Sequence, residues 1–372
     1  VPGFTAAGQG VTFVDPYLSK RAPYYENFNF GVQQELTKGL VLSLDYAGSN
    51  GRFLPTGEGN GVNSDQLNPI YDTQLGSLLS AKATPANIAA VQKIIPTYQL
   101  PFPTFNPAYT IGQSLRPFPQ YSGVTDIYGD FGMSSYNSLQ AVLVQKAQHG
   151  LSYTFNYTLS KLFDNTGTGR TAYDHSYERS LGLYDHRNNI SAYAVYAEPF
   201  GKGHRFVDKL IKDYETSAIF TATSGTPLAI VGSGCVTVSS GTCEPNLTPG
   251  FVGPVRLNGD WGRGSTAAAL SSTPYISSAA FSTPTAYTFG NASRTAPYGL
   301  IGPGNYNINM TLRRYFGLHE GLKLMLEIDG FNITNHTNFS NPATTLGSSS
   351  FGTITSASGA SRDLQLVGRV DF

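Results

Sequence analysis

Two tetrapeptides, "YDHS" (173–176) and "YDHR" (184–187), each set an aspartate beside a histidine within one stretch of chain. An Asp–His pair is the orienting half of a nucleophilic or general-base site, and both residue types bind divalent metals. Neither use is completed here. No G-x-S-x-G turn supplies a nucleophile, and the six histidines have no metal-ligand spacing. Loop-anchoring polar clusters are the plainer reading, with a ligand or metal contact as the alternative. "FGKG" (200–203) lacks the G-x-x-x-x-G-K-[ST] spacing of a phosphate loop and reads as a turn. The single tryptophan, Trp261 in "NGDWGRG", would either grip a ligand or pack within its own loop. Cys235 and Cys243 enclose a Ser/Thr-rich segment, "CVTVSSGTC", which reads as a local disulfide formed in an oxidising compartment, with two free thiols as the alternative. Nothing assembles into a catalytic set, and no cofactor or metal motif is present, so the expectation is a protein that is not an enzyme.

The other candidates are periodic rather than reactive. In "NYNINMTLRRYF", Asn305, Asn307, Asn309, Thr311 and Arg313 alternate with Tyr306, Ile308, Met310 and Leu312. Side chains of a strand point alternately to its two faces, so the first set would share a wet face and the second an oily one. "LSYTFNYTLS" (151–160) does the same without a fault, and so, less perfectly, do segments at 27–36, 40–46, 138–147, 188–198, 214–223, 322–329 and 362–372. One such run can arise by chance. About nine of them in one chain carry the argument.

Composition agrees. Charged residues are 13% of the 372, about half the usual share, and the formal net charge is zero, which suggests no electrostatic grip on nucleic acid or on anionic lipid. Gly, Pro, Tyr and Phe are abundant, which favours strands and loops. No run of eighteen apolar residues offers a membrane-spanning helix.

The connections are lopsided. Short turns at 37–39, 148–150, 199–206 and 317–321 join strands into hairpins, and long connections at about 49–135, 164–185, 224–303 and 334–360 separate them. A soluble sandwich has no reason to keep long loops at one end. A transmembrane barrel does, with short periplasmic turns and long extracellular loops. Lipid offers no hydrogen-bond partners, so the strands must pair with one another and the sheet must close. The expected fold is therefore all-β: an antiparallel transmembrane β-barrel, partial, with polar residues inside and apolar residues towards lipid. Phe200, Phe316 and Phe372 would meet at the periplasmic interface as an aromatic girdle. Within the longest loop, "TPANIAAVQKIIP" predicts a helix capped by Thr84, started by Pro85 and ended before Pro96. "YDTQLGSLLS" predicts another, and "VTDIYGDFGMSSY" an upward extension of the strand that follows it.

Several segments together resemble the Oar-like TonB-dependent transporters, outer-membrane receptors abundant in Acidobacteria. They are "LRPFPQYSGV", "SYNSLQAVLVQKAQHGLSYTFNYTLSKLFDN", "SLGLYDHRNNISAYAVYAEPFGKGHRF", "GLIGPGNYNINMTLRRYFGL" and "LEIDGFNITNHTNF". The ending, with Leu364, Leu366, Gly368, Val370 and Phe372 at alternate positions, is similar to the signal read by the barrel-assembly machinery. The resemblance implies that residues 1–372 are the C-terminal part of a larger barrel, normally of about twenty-two strands around a plug. The plug, the N-terminal extension and the TonB box are not in this sequence, and no signal peptide is visible at its start. The chain is thus expected to be a Gram-negative outer-membrane fragment, in contact with lipid and, through the missing plug, with the TonB complex. The parent would move a bulky solute of unread identity across the outer membrane. Alternatives are a surface adhesion or structural barrel that binds partners through its loops, and a secreted β-sandwich that binds glycans. Asn305, Asn307, Asn309, Thr311 and Arg313 would line the lumen, either along a solute path or as ordinary hydration and plug contacts.

Overall fold

The computed structural model describes residues 10–14, 21–56, 61–167, 170–175, 178–197, 206, 212–236, 243–257, 274–295, 299–319 and 321–372. Phe200, Trp261 and the "FGKG" turn lie outside the described residues. Nine strands form one continuous antiparallel ladder: β1 (Tyr24–Thr37), β2 (Leu40–Leu54), β3 (Gly132–Gln148), β4 (Leu151–Asp164), β5 (Asn188–Ala197), β6 (Tyr214–Thr223), β7 (Asn305–His319), β8 (Leu322–Phe331) and β9 (Asp363–Asp371). A two-residue strand, Ser180–Leu181, pairs with the end of β4 and makes the sheet ten-stranded, one more than the alternation predicts. Each strand neighbours the next in sequence, and among the described residues the two ends of the ladder, β1 and β9, are not joined.

Turn chemistry sets the hairpins. His149 and Gly150, both at positive φ (51° and 85°), give β3–β4 the kind of two-residue turn whose twist suits antiparallel strands. Gly39, at φ 79°, serves the β1–β2 turn. Register slips by a bulge beside these turns and again between Gly317 and His319.

The register explains the alternation. Starting from Phe155, the cross-strand partners on one side are Leu143 and then Leu42. On the other they are Ala192, Phe220 and Ile308. One rung towards the turns, Met310 gives way to Leu312, which meets Ile328 and then Leu366. The main apolar set of every strand therefore falls on the same face of the sheet; the other face is mostly polar, although Val142, Val144, Tyr193, Ile219 and Val367 also lie on it.

That apolar face is open. Phe30 is 72% exposed, Leu139 48%, Phe155 39%, Ile328 47% and Leu366 78%. Leu54, at the very end of β2, is the only buried apolar side chain in the nine strands among the described residues. A water-soluble sandwich would bury this surface against a second sheet, because an apolar area of that size in water costs roughly 25 cal/mol per Å². Tyrosines edge the band: the Tyr46 hydroxyl donates to Asn137 Oδ1 (2.6 Å) and that of Tyr157 to Asn188 Oδ1 (2.7 Å), each acceptor one rung nearer the loops. Rings that are apolar at one side and satisfied at the other suit a membrane boundary.

The hydrophobic cores lie in the long connections, all of which leave from one end of the sheet. The first packs Leu67, Leu79, Val91, Phe105 and Ile111 around helices α1 (Ile70–Leu75), α2 (Pro85–Ile94) and α3 (Ile111–Ser114). Thr84 caps α2 by accepting from the Asn87 backbone N–H, and Pro85 begins it, as the sequence predicts. "YDTQLGSLLS" is partly α1 and partly a 3₁₀ turn, Gly76–Ser80. The second core gathers Leu228, Ile230, Ile276, Phe281, Leu300, Phe351 and Ile354. One expectation fails: Val124–Asp126 does not prolong β3. Gly123–Asp126 instead pairs in parallel with Gly10–Phe13 and antiparallel with Val62–Asn63, which leaves only Gly132–Tyr136 as the extension of β3.

Candidate functional site

The polar face carries the first site. Asn305, Asn307, Asn309, Thr311 and Arg313 occupy it in one column along β7, and their partners on β6 are Thr223, Thr221, Ile219, Ser217 and Glu215. Arg313 bridges three strands, 3.3 Å from Glu215 on β6 and 2.8 Å from Glu327 on β8. One rung above, Thr311 donates to Asp329 (2.7 Å). Higher still, the asparagines tie the wall to the loops: Asn309 Oδ1 accepts from the Asn332 backbone (2.9 Å), and Asn305 Oδ1 from the Ser358 hydroxyl (3.4 Å). Arg313 and Glu215 remain about a third exposed, so these pairs add little stability. Their effect is to set a fixed pattern of charge, two carboxylates about one guanidinium, on a hydrated surface. The alternation singles out the β7 column but not Glu215, whose strand is separated from β7 by a long loop.

The second site is buried in the loops. Arg170 is 2% exposed, and its Nε lies 3.6 Å from Glu178 and 3.8 Å from Glu244. Its guanidinium also donates to the carbonyls of Gly290 and Ala292, and its backbone N–H donates to Glu178 Oε1 (3.1 Å). Gln66 donates to the Arg170 carbonyl (3.1 Å) and accepts from Ala172. Three connections thereby meet at Arg170, two through its guanidinium and the third through its backbone carbonyl. Nearby, Arg294 pairs with Asp164 at the end of β4. Sequence reading missed this cluster.

The Asp–His tetrapeptides act as anchors. Asp185 is buried and accepts from the Leu162 backbone (2.7 Å), while the His186 ring meets the Ser224 carbonyl (2.7 Å). Tyr173 donates to the Gln66 carbonyl (3.0 Å), and His175 rests its ring 4.3 Å from that of Phe131. Cys235 and Cys243 are joined by a disulfide. Among the described residues no group of three His, Cys, Asp or Glu is placed to hold a metal, and no helix is long and apolar enough to cross a membrane.

Burial raises the carboxyls of Asp65 and Asp185 above the usual aspartate range; the hydrogen bonds from Phe118 and Leu162 oppose the shift without cancelling it. A raised carboxyl pKa in the folded state binds protons that the unfolded state has lost, so this contribution is complete below pH about 4 and is lost as pH rises through the raised values. Hydrogen exchange in the loop cores should therefore slow, after correction for intrinsic rate, as pH is lowered from neutrality through the raised carboxyl range. Asp65→Asn, which keeps the acceptor for Phe118, should flatten that dependence.

Leu364, Leu366, Gly368 and Val370 lie on the apolar face of edge strand β9, opposite Gly330, Ile328, Leu326 and Leu324, with Phe372 fully exposed just beyond the strand. Phe316 stands on the same face, in the rung of Leu324 and Val370.

No curated protein matches the chain. Among solved structures it is similar to the outer membrane transporter YddB from Escherichia coli, at 9% identity and a TM-score of 0.44, over 98% of this chain and 34% of that one. It is also similar to the ferripyoverdine receptor of the outer membrane of Pseudomonas aeruginosa, at 11% identity and a TM-score of 0.41, over 95% of this chain and 28% of that one. The chain thus spans about a third or less of the length of the solved structures it matches. The family described as outer membrane beta barrel domain matches residues 1–365. A two-faced antiparallel sheet, oily on the side that no protein covers, is the form that family requires: the chain belongs to the outer membrane beta barrel domain family, and its place is the outer membrane.

Proposed function

We propose that the chain is the C-terminal stretch of wall, with its extracellular loops, of a TonB-dependent, Oar-like transporter that moves a bulky solute across the outer membrane. The observation that carries this reading is the polar face. Its column of asparagines ends in the Glu215–Arg313–Glu327 bridge, which gives a hydrated, charge-patterned lining of the sort a solute or a plug would meet. Among the described residues the ladder's edges, β1 and β9, are unpaired, which fits a wall that continues into further strands, because lipid does not tolerate unpaired backbone. The short-turn end faces the periplasm and the loop end the exterior. Energy coupling would enter through a plug and the TonB complex, and assembly would use the β9 ending.

One observation favours a second reading. The loops have their own hydrophobic cores and a buried ionic lock, so they could act as a rigid adhesive platform without transport. The readings separate in one experiment on the full-length protein, in which outer membranes are washed with carbonate and the extracted protein is then tested for binding to the periplasmic domain of TonB. Retention with TonB binding is the transport result. Retention without it is the adhesion result, and release by carbonate would end both.

A further inference from the structure

On the apolar face, the described residues between the tyrosine edge and the short turns include a single charged side chain, Arg314. Its register partners are Tyr214 on β6 and Leu326 on β8, and Leu326 in turn faces Gly368 on β9. The Arg314 guanidinium carbon lies 4.8 Å from the Tyr214 ring centre and 4.6 Å from that of Phe316, and Nη1 donates to the Tyr214 hydroxyl (3.2 Å). Two rings thus hold the cation near the lower edge of the apolar band.

Beside it runs a groove of about 480 Å³, lined among others by Leu312, Leu326, Ile328, Leu366 and Gly368. Glu327 also contributes to its lining, but its carboxylate is engaged by Arg313 on the opposite face. Gly368, which has no side chain, forms part of the groove's lining. Gly368 is not required by its backbone: a Cβ there would meet only Leu326 Cδ2, at an ordinary 3.8 Å. Neighbouring positions on the same strand face, Leu366 and Val370, do carry side chains.

We propose that this groove binds one phospholipid of the periplasmic leaflet, its phosphate on Arg314 and an acyl chain along the β7–β9 surface past Gly368. Charge complementarity chooses the occupant. An apolar channel alone would take any hydrocarbon, but a cation fixed by two rings at the polar end of that channel selects an amphiphile with an anionic head. The inference rests on the apolar face meeting lipid, and not on TonB coupling.

The test is native mass spectrometry of the full-length protein, extracted in a neutral detergent and offered dioleoyl phosphatidylglycerol or, in parallel, dioleoylglycerol, which lacks the phosphate. One phosphatidylglycerol should stay bound under conditions that strip dioleoylglycerol. R314Q should lower its occupancy about ten-fold or more, as loss of a charge-assisted contact implies. Gly368→Leu, which fills the groove, should lower it similarly, and Arg314→Lys should hold it within about three-fold of wild type. Equal retention of the two lipids by wild-type protein would overturn the proposal, as would wild-type retention by both R314Q and Gly368→Leu. Should a variant fail to assemble, the comparison of the two lipids on wild-type protein decides. Carbonate resistance and TonB binding are read separately, so a failure here leaves the transport reading standing.

Discussion

Arginine in place of Phe155 should destabilise the membrane-inserted protein by about 2–4 kcal/mol, whereas arginine in place of Asn156 should cost only about 1 kcal/mol. The two positions are adjacent in β4 and differ in which face they occupy. Phe155 lies between Leu143 and Ala192 near the middle of the oily face. A guanidinium there must be desolvated or must drag water into hydrocarbon. Asn156 points to the other side, where its amide donates to the Ser191 hydroxyl (3.2 Å), and that bond is the main loss on substitution. Urea titration of the full-length protein folded into phospholipid vesicles measures both. Equal costs would mean that the faces have been assigned to the wrong solvents, and the barrel reading would go with them.

That contrast was legible in the sequence because the period of a strand is two and each face of this sheet meets one solvent. Where the solvent stops differing, the signal stops too. β2 continues through Ala47–Leu54 and β3 begins at Gly132, yet neither stretch alternates in a readable way, because above the band both faces are wet or lie against loops. Helix α2 was legible because its cap and its prolines are local chemistry. The loop cores were not: Leu228 and Ile354 meet in one cluster across a large separation in sequence, and no local pattern encodes that meeting. Nor could the site be read in full. The β7 column follows from alternation, but the partner of Arg313 on β6 depends on a register set across the loop from 224 to 304. Arg170, in a Gly/Thr-rich stretch, looks like a solvated loop cation until three connections fold over it.

Replacing that arginine is the second large effect. Arg170→Met should destabilise the loop platform by about 3–5 kcal/mol, because it leaves the Glu178 and Glu244 carboxylates buried without the cation between them. The loss should be confined to the loops. Backbone pairing from β1 to β9 involves none of these residues, so the protein should still resist carbonate while surface-added protease cuts the connections. Much of the cost is the penalty of keeping carboxylates buried once that cation is gone, rather than the worth of the pairs themselves. Arg170→Met combined with Glu178→Gln and Glu244→Gln should therefore recover more than half of it, and the triple variant should resist protease better than the single one. A single variant as resistant as wild type would show that water reaches the cluster, and that the connections are held by their two apolar cores alone. If the triple variant is instead the weaker, the carboxylates stabilise the loops through contacts other than the guanidinium, of which the bond from the Arg170 backbone N–H to Glu178 Oε1 is one.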